Sequence, residues 1–243
     1  MTAHKTDTRA PITPLLPAVL WLIWIGVFLW LLYGGRYRAF LQPKFWPLPV
    51  IGLLVFGLFL AVFVHQYLRR PSEGRRRRRW LDIGVLVVPA IYVYAVYGHS
   101  LGADALASRA TGTVFSLEEY AERYPEPQYE PGRDVLLSTL TMKPTVFIGK
   151  SITVEGGVYR DQNVPEPYFL MYRFFIFCCA ADAMPLWVVV HSPRSGLLET
   201  ETWVRVTGRF SLETINNKTV PMLRADALEK IPPPPPELRY LYF

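Results

Sequence analysis

Apolar positions fall into two textures along the chain. In the first hundred residues they run almost unbroken. Leu15 to Tyr33 carries no charge, Val50 to Leu68 is equally free of formal charge, and Leu81 to Gly98 is interrupted only by Asp82 and Pro89. Each stretch is close to the roughly 20 residues an α-helix needs to cross a bilayer. The pattern therefore predicts three transmembrane spans, about 15–33, 50–68 and 81–98, in a region covering residues 15–101. Trp46 and Tyr67 fall near the ends of the second span, where aromatic belts sit.

From Gly149 the texture shortens. Ser151 to Arg160, Phe169 to Phe177, Leu186 to His191, Thr202 to Phe210 and Val220 to Leu228 are separated by Gly, Pro and Asn, and several are rich in β-branched and aromatic residues. Such segments predict strands. Val204, Val206 and Gly208 alternate with Arg205, Thr207 and Arg209, the period of a half-exposed strand. Five strands within residues 149–231 suit a small closed barrel of the OB type. The predicted fold class is thus an α+β membrane protein: three N-terminal helices and a C-terminal five-stranded OB-like β-barrel domain.

The connecting regions are less regular. Residues 1–14 are polar and punctuated by proline, which predicts disorder. Residues 102–148 read as a linker. Gly102 to Thr111 is small and polar, a hinge, and Ser116 with Glu119 three residues on has capping-box spacing, so a short helix is expected there. Val135 to Met142 is compatible with a short helix or an edge strand. Residues 232–243 form a polyproline strut, Pro232 to Pro236, and a tail ending Tyr240-Leu241-Tyr242-Phe243. A tail so aromatic is expected to pack on the domain, the membrane or a partner.

Charge adds an orientation. Of 243 residues, 51% are hydrophobic and 19% charged, and the formal net charge is +6. Seven arginines and one glutamate between Arg69 and Arg79 account for that whole excess. Beyond Gly102 acidic residues outnumber basic ones, so a basic groove for nucleic acid is not expected. Arginine-rich short loops stay in the cytoplasm. The 69–79 loop and the N-terminus, with Lys5 and Arg9, are therefore placed inside, against Arg36, Arg38 and Lys44 outside. This predicts a multi-pass protein of the cell (inner) membrane, with the C-terminal domain extracytoplasmic.

Candidate chemistry gathers in one place. Both cysteines, Cys178 and Cys179, stand where the Phe169 to Phe177 run stops, with Asp182 three residues on and His191 closing the next apolar run. Two thiolates, a carboxylate and an imidazole would suit tetrahedral zinc or another thiophilic divalent cation. Neighbouring residues of a regular strand face opposite ways, so both thiols reach one ion only if the strand ends between them. The other reading is structural: two buried small side chains, or a vicinal disulfide in an oxidising compartment. Arg173, in an apolar strand, is expected to give structural support by pairing with Asp182 or Glu155. His65 and His99 fall at opposite membrane faces and form no common site. No nucleophile–base arrangement, phosphate-binding glycine loop or His-Glu-x-x-His motif is present, so the chain is not expected to be an enzyme.

Phe147-Ile-Gly-Lys-Ser-Ile-Thr-Val-Glu-Gly, Arg173-Phe-Phe-Ile-Phe-Cys-Cys-Ala-Ala-Asp-Ala and Trp203-Val-Arg-Val-Thr-Gly, set behind three spans, resemble the YcgQ-like family. These are uncharacterised bacterial membrane proteins described as candidate permease subunits. The resemblance covers most of the chain, and it implies a separate polytopic permease as partner. Family members commonly carry histidines between spans two and three; this chain carries arginines there. The function expected on these grounds is that of a non-catalytic accessory subunit, docked in the lipid bilayer against a permease. Its outer domain would gate, or bind substrate or metal, through the Cys-Cys-Ala-Ala-Asp turn. The alternative is a membrane-anchored thiol redox or metal-storage protein acting without a permease.

Overall fold

The computed structural model describes residues 16–69, 79–97, 101–110, 129–132, 134–160, 164–215 and 218–242. The N-terminal 14 residues, most of the arginine loop, His99 and the helix expected after Ser116 lie outside them. The chain divides into two compact units, residues 1–37 with 44–98, and residues 38–43 with 99–243.

The first unit is helical. α1 (Leu16–Leu32), α2 (Pro47–Arg69) and α3 (Arg79–Tyr97) follow the three apolar stretches. Two stretches, Ala18–Ala39 and Pro43–Gln66, are helical, long and apolar enough to cross a membrane; in α3 the apolar part is shorter, Val87–Tyr97. Aromatic packing joins the helices. Trp24 of α1 stacks on Phe56 of α2 at 5.4 Å, and Trp30 meets Tyr97 of α3 edge-on at 4.7 Å. Gly52 makes room for this packing, since a Cβ there would lie 2.5 Å from the Phe28 ring. His65 is exposed on α2.

The second unit is the expected closed five-stranded barrel. β1 (Ser151–Tyr159), β2 (Tyr168–Phe175), β3 (Met184–His191), β4 (Trp203–Ile215) and β5 (Lys218–Lys230) close in the order β1-β2-β3-β5-β4. Every pairing is antiparallel except β3 with β5. The interior is filled by alternate residues such as Val154, Phe169, Met171, Val188, Val206 and Phe210, all fully buried. The helix α5 (Leu137–Met142) adds Leu137 and Leu140 to this core, which resolves the ambiguity over Val135 to Met142 in favour of a helix. A bulge between Thr207 and Gly208 bends β4 onto β5. There a Cβ on Gly208 would stand 2.0 Å from the carbonyl oxygen of Arg224, so only glycine permits the approach.

β2 and β3 read as continuous apolar runs because both of their faces are covered. Tyr172, Phe174 and Ile176 belong to a second buried cluster with Leu106 and Tyr240. Leu106 comes from α4 (Ala103–Ala110), which corrects the expected hinge: Gly102 leads into a helix that buries one leucine to 1% exposure. Its alanines and leucine are good helix formers, and the small polar residues lie on its exposed side. Tyr240 comes from the C-terminal tail. That tail packs on its own domain: Leu241 donates to the Phe174 carbonyl at 2.9 Å and accepts from Ile176 at 3.0 Å.

Candidate metal centre

β2 ends at Phe175, and the backbone then bends through Phe177 and Cys178. Ala180–Asp182 forms one turn of 3-10 helix before β3 begins at Met184. The strand thus ends ahead of both cysteines rather than between them, so the alternation of a regular strand does not hold the two thiols apart. Cys178 is exposed, Cys179 half-buried, and both are free thiols rather than a vicinal disulfide. One ligand atom each from Cys178, Cys179 and Asp182 lies within 4.8 Å of the others.

The turn is built by its own ligand atoms. Asp182 Oδ1 accepts the N–H of Phe177 at 3.0 Å, and Oδ2 accepts those of Cys178 at 2.8 Å and Cys179 at 3.2 Å. In return the Cys179 sulfur accepts the Asp182 N–H, which completes a capping box with cysteine in the place usual for serine. The Cys178 thiol donates to Asp182 Oδ2 at 2.5 Å. These contacts set the charges. Burial opposes ionisation of Asp182, but the Cys178 thiol and three backbone N–H groups outweigh it and hold the carboxyl below its ordinary range. Its hydrogen bond to Asp182, then that to Cys179, push the Cys178 thiol up to about 11. Cys178 is therefore protonated at neutral pH, and a metal entering there must displace its proton.

A segment far off in sequence completes the surroundings. Leu41 pairs with Cys179 as an isolated antiparallel bridge. Gln42 donates its N–H to the Cys178 carbonyl at 3.0 Å, and Ala180 donates to that of Phe40 at 2.8 Å. The Gln42 side chain is buried to 2% exposure and its Oε1 has no hydrogen-bond partner among the described residues. Nothing in the short 36–44 loop's composition had marked it as part of the site. The cap was legible, since Cys179 and Asp182 have capping-box spacing.

The other two expected residues lie elsewhere. His191 closes β3 at its far end, paired with Tyr168, whose ring is 5.1 Å away. Seven strand steps separate it from Met184, about 23 Å of extended chain, and it is not grouped with the thiols. Arg173 does not support the cysteine turn either. It donates from Nη2 to the Leu238 carbonyl at 2.6 Å and from Nε to that of Arg239 at 3.3 Å, and it lies over the Trp203 ring at 5.6 Å. Glu155 binds Arg205 instead, at 2.6 Å. The physical reason is reach: the C-terminal tail brings carbonyl acceptors next to β2, where the sequence had suggested only acids.

Two thiols and a carboxylate in one turn make a soft donor set with a position left over. Three protein ligands with one open coordination site are usual where zinc exchanges ligands, whereas structural sites are closed by four.

Comparison with known proteins adds little beyond the barrel. No curated protein matches the chain. A small single-stranded DNA-binding protein from Streptomyces coelicolor is similar over 34% of this chain and 93% of its own, at 16% identity and a TM-score of 0.26. A putative aspartyl-tRNA synthetase from Leishmania major Friedlin is similar over 44% of this chain and 22% of its own, at 10% identity and a TM-score of 0.27. Neither score is high enough to carry an argument. Residues 134–243, the barrel with α5 and the tail, match the family model of the DUF1980 C-terminal domain.

Proposed function

We propose that the protein is a non-catalytic, membrane-embedded accessory subunit whose OB-type barrel holds a thiophilic divalent cation at Cys178 and Cys179 and passes it to or from a polytopic permease. The observation that carries this reading is the convergence of both thiols and Asp182 within 4.8 Å on an accessible turn. Asp182 spends most of its hydrogen-bonding capacity on the turn, so the thiols supply the main attraction for a soft ion and the carboxylate a weaker third contact. An open fourth position and an exposed Cys178 favour exchange over permanent retention, which suits an ion that is cargo. The strand order, with β3 and β5 parallel, supports the OB-type reading.

The thiol redox alternative is less well supported. A redox-active cysteine needs a depressed pKa, and Cys178 is pushed the other way. The permease partner rests on the family resemblance and on the helices themselves. A cavity between α1 and α3 is lined, among the described residues, by Ile23, Gly26, Val27, Trp30, Ala90 and Tyr94, and offers a hydrated ion almost no polar contact.

The membrane arrangement we infer has three spans, with the N-terminus inside. Residues 38–43 belong to the barrel unit, as do all residues from His99 onward. α2 is long enough to cross, and we read the shorter apolar part of α3 as the return span. Placing the arginines in the cytoplasm then puts the barrel outside.

Full-length protein in detergent, reduced and supplied with zinc, tests the function by elemental analysis after desalting. One equivalent is expected in the wild type, with most of it lost in Cys178→Ser and in Cys179→Ser. Zinc well below one equivalent, unchanged in both variants, would refute the reading.

A further inference from the structure

A cleft of about 210 Å³ opens on the barrel unit between β2, the start of β4, the segment leading into α4 and the C-terminal tail. It is separate in composition from the cysteine turn, and nothing said of metal binding uses it. Its walls mix Arg173, Glu201, Arg239 and the Tyr172 and Tyr240 rings with Trp203, Phe174 and Pro233.

Arg173 is the unusual member. A guanidinium carries five N–H donors. Nε and one Nη2 hydrogen are taken by the carbonyls of Arg239 and Leu238. The Nη1 pair and the second Nη2 hydrogen have no partner among the described residues, where the charge meets the Trp203 ring at 5.6 Å but no carboxylate within ion-pair distance. Burial lowers its pKa, with Glu155 and Tyr242 opposing from a distance. Arg173 is half-buried, and the donors it leaves open favour an anion brought from outside. One Nη1 and one Nη2 hydrogen of a planar guanidinium form a fork, the shape that takes a carboxylate through two parallel bonds.

The opposite wall is held in place at a cost. Glu201 has φ +71°, a left-handed conformation rare for glutamate. Its N–H donates to the Val158 carbonyl at 2.7 Å, and its Oε1 accepts from Ala103 at 3.0 Å. Gly102 allows this, because a Cβ there would lie 2.1 Å from that oxygen. Strain retained beside a cleft is commonly tied to what the cleft binds.

We propose that this cleft binds a small organic monocarboxylate, its carboxylate taken by the Arg173 fork and its apolar body lying against Trp203 and Pro233. The open donors belong to the one guanidinium of Arg173, which matches one carboxylate. A phosphate dianion would bring its second charge near Glu201, and the aromatic and proline surfaces would be left without a partner.

The test is calorimetric titration of the full-length protein in detergent with benzoate, with its neutral isostere benzamide, and with inorganic phosphate, at pH 7. Benzoate is expected to saturate and to bind at least tenfold more tightly than either of the others. Arg173→Lys, which keeps the charge and loses the fork, is expected to weaken benzoate about tenfold, and Glu201→Gln to strengthen it. Benzamide or phosphate binding as well as benzoate would overturn the proposal, as would no binding of benzoate at all. So would an Arg173→Lys variant that keeps the barrel's thermal transition and binds benzoate unchanged. If that variant does not fold, the ratio of benzoate to benzamide in the wild type still decides. Zinc loading should be unaffected throughout, which separates this site from the thiols.

Discussion

The Cys178 thiol lies 2.5 Å from Oδ2 of Asp182, the same oxygen that accepts the backbone N–H groups of Cys178 and Cys179. One carboxylate oxygen therefore both ends the β2 extension and keeps a thiol protonated. Removing it should be felt in fold and in reactivity together. Asp182→Ala is expected to lower the unfolding free energy by about 2 kcal/mol, the range for losing a cap with charge-assisted bonds. It should also bring the Cys178 pKa from about 11 back towards an ordinary thiol. Urea unfolding measures the first, and the pH dependence of alkylation by iodoacetamide the second.

The same pair gives stability a pH window. Asp182 is depressed in the fold, so its contribution is full above the unfolded carboxyl value of about 3.9 and is lost as pH falls through its folded pKa. Cys178 is raised, so its contribution is full below the unfolded thiol value of about 8.5 and is lost as pH rises through about 11. Thermal unfolding followed against pH should show Cys178→Ala flattening the alkaline limb and Asp182→Ala flattening the acid limb. Profiles parallel to the wild type would contradict the assignment.

Much of the fold was legible because periodicity is a local property. The unbroken runs gave α1, α2 and α3, and the alternation at Val204 to Arg209 gave β4, although β4 and β5 each run to 13 residues, longer than their apolar cores. Long-range partners were not legible. The continuous apolar runs of β2 and β3 imply cover on both faces, but not that α4 and the tail supply it. His191 looked like a ligand because a strand's length is invisible in a list of residue types: eight residues of β3 carry it to the far end. Arg173 was matched to acids, whereas its acceptors are carbonyls of a tail 65 residues away. The bridge between Leu41 and Cys179 joins positions more than a hundred residues apart, and no local pattern announces it.

Gly208 tests the barrel closure. A Cβ there would meet the Arg224 backbone, which has no rotamer with which to move aside. Gly208→Ala is expected to cost about 3 kcal/mol or more by forcing β4 off β5, with a matching fall in thermal midpoint. A loss under about 0.5 kcal/mol would show that the bulge relaxes freely.

The topology is tested with single cysteines in a Cys178→Ala/Cys179→Ala background. Arg38 and Glu199 are both exposed and both belong to the barrel unit. A thiol reagent unable to cross membranes should label Arg38→Cys and Glu199→Cys in intact cells, and leave Ser72→Cys unlabelled until the cells are opened. Labelling of Ser72→Cys together with Glu199→Cys would remove the third span, and together with Arg38→Cys the second.

The central claim is thiolate ligation at Cys178 and Cys179, and cobalt(II) reports it most directly, because cobalt–thiolate bonds absorb in the near ultraviolet and carboxylate or imidazole bonds do not. Titrating the reduced full-length protein with cobalt at pH 7.5 should develop that band to saturation at one equivalent and lose it on adding zinc. The intensity should fall to well under half in Cys178→Ser and in Cys179→Ser, vanish in the double variant, and persist undiminished in His191→Ala. A wild-type protein that develops no charge-transfer band, or a band that survives loss of both thiols, would contradict the account.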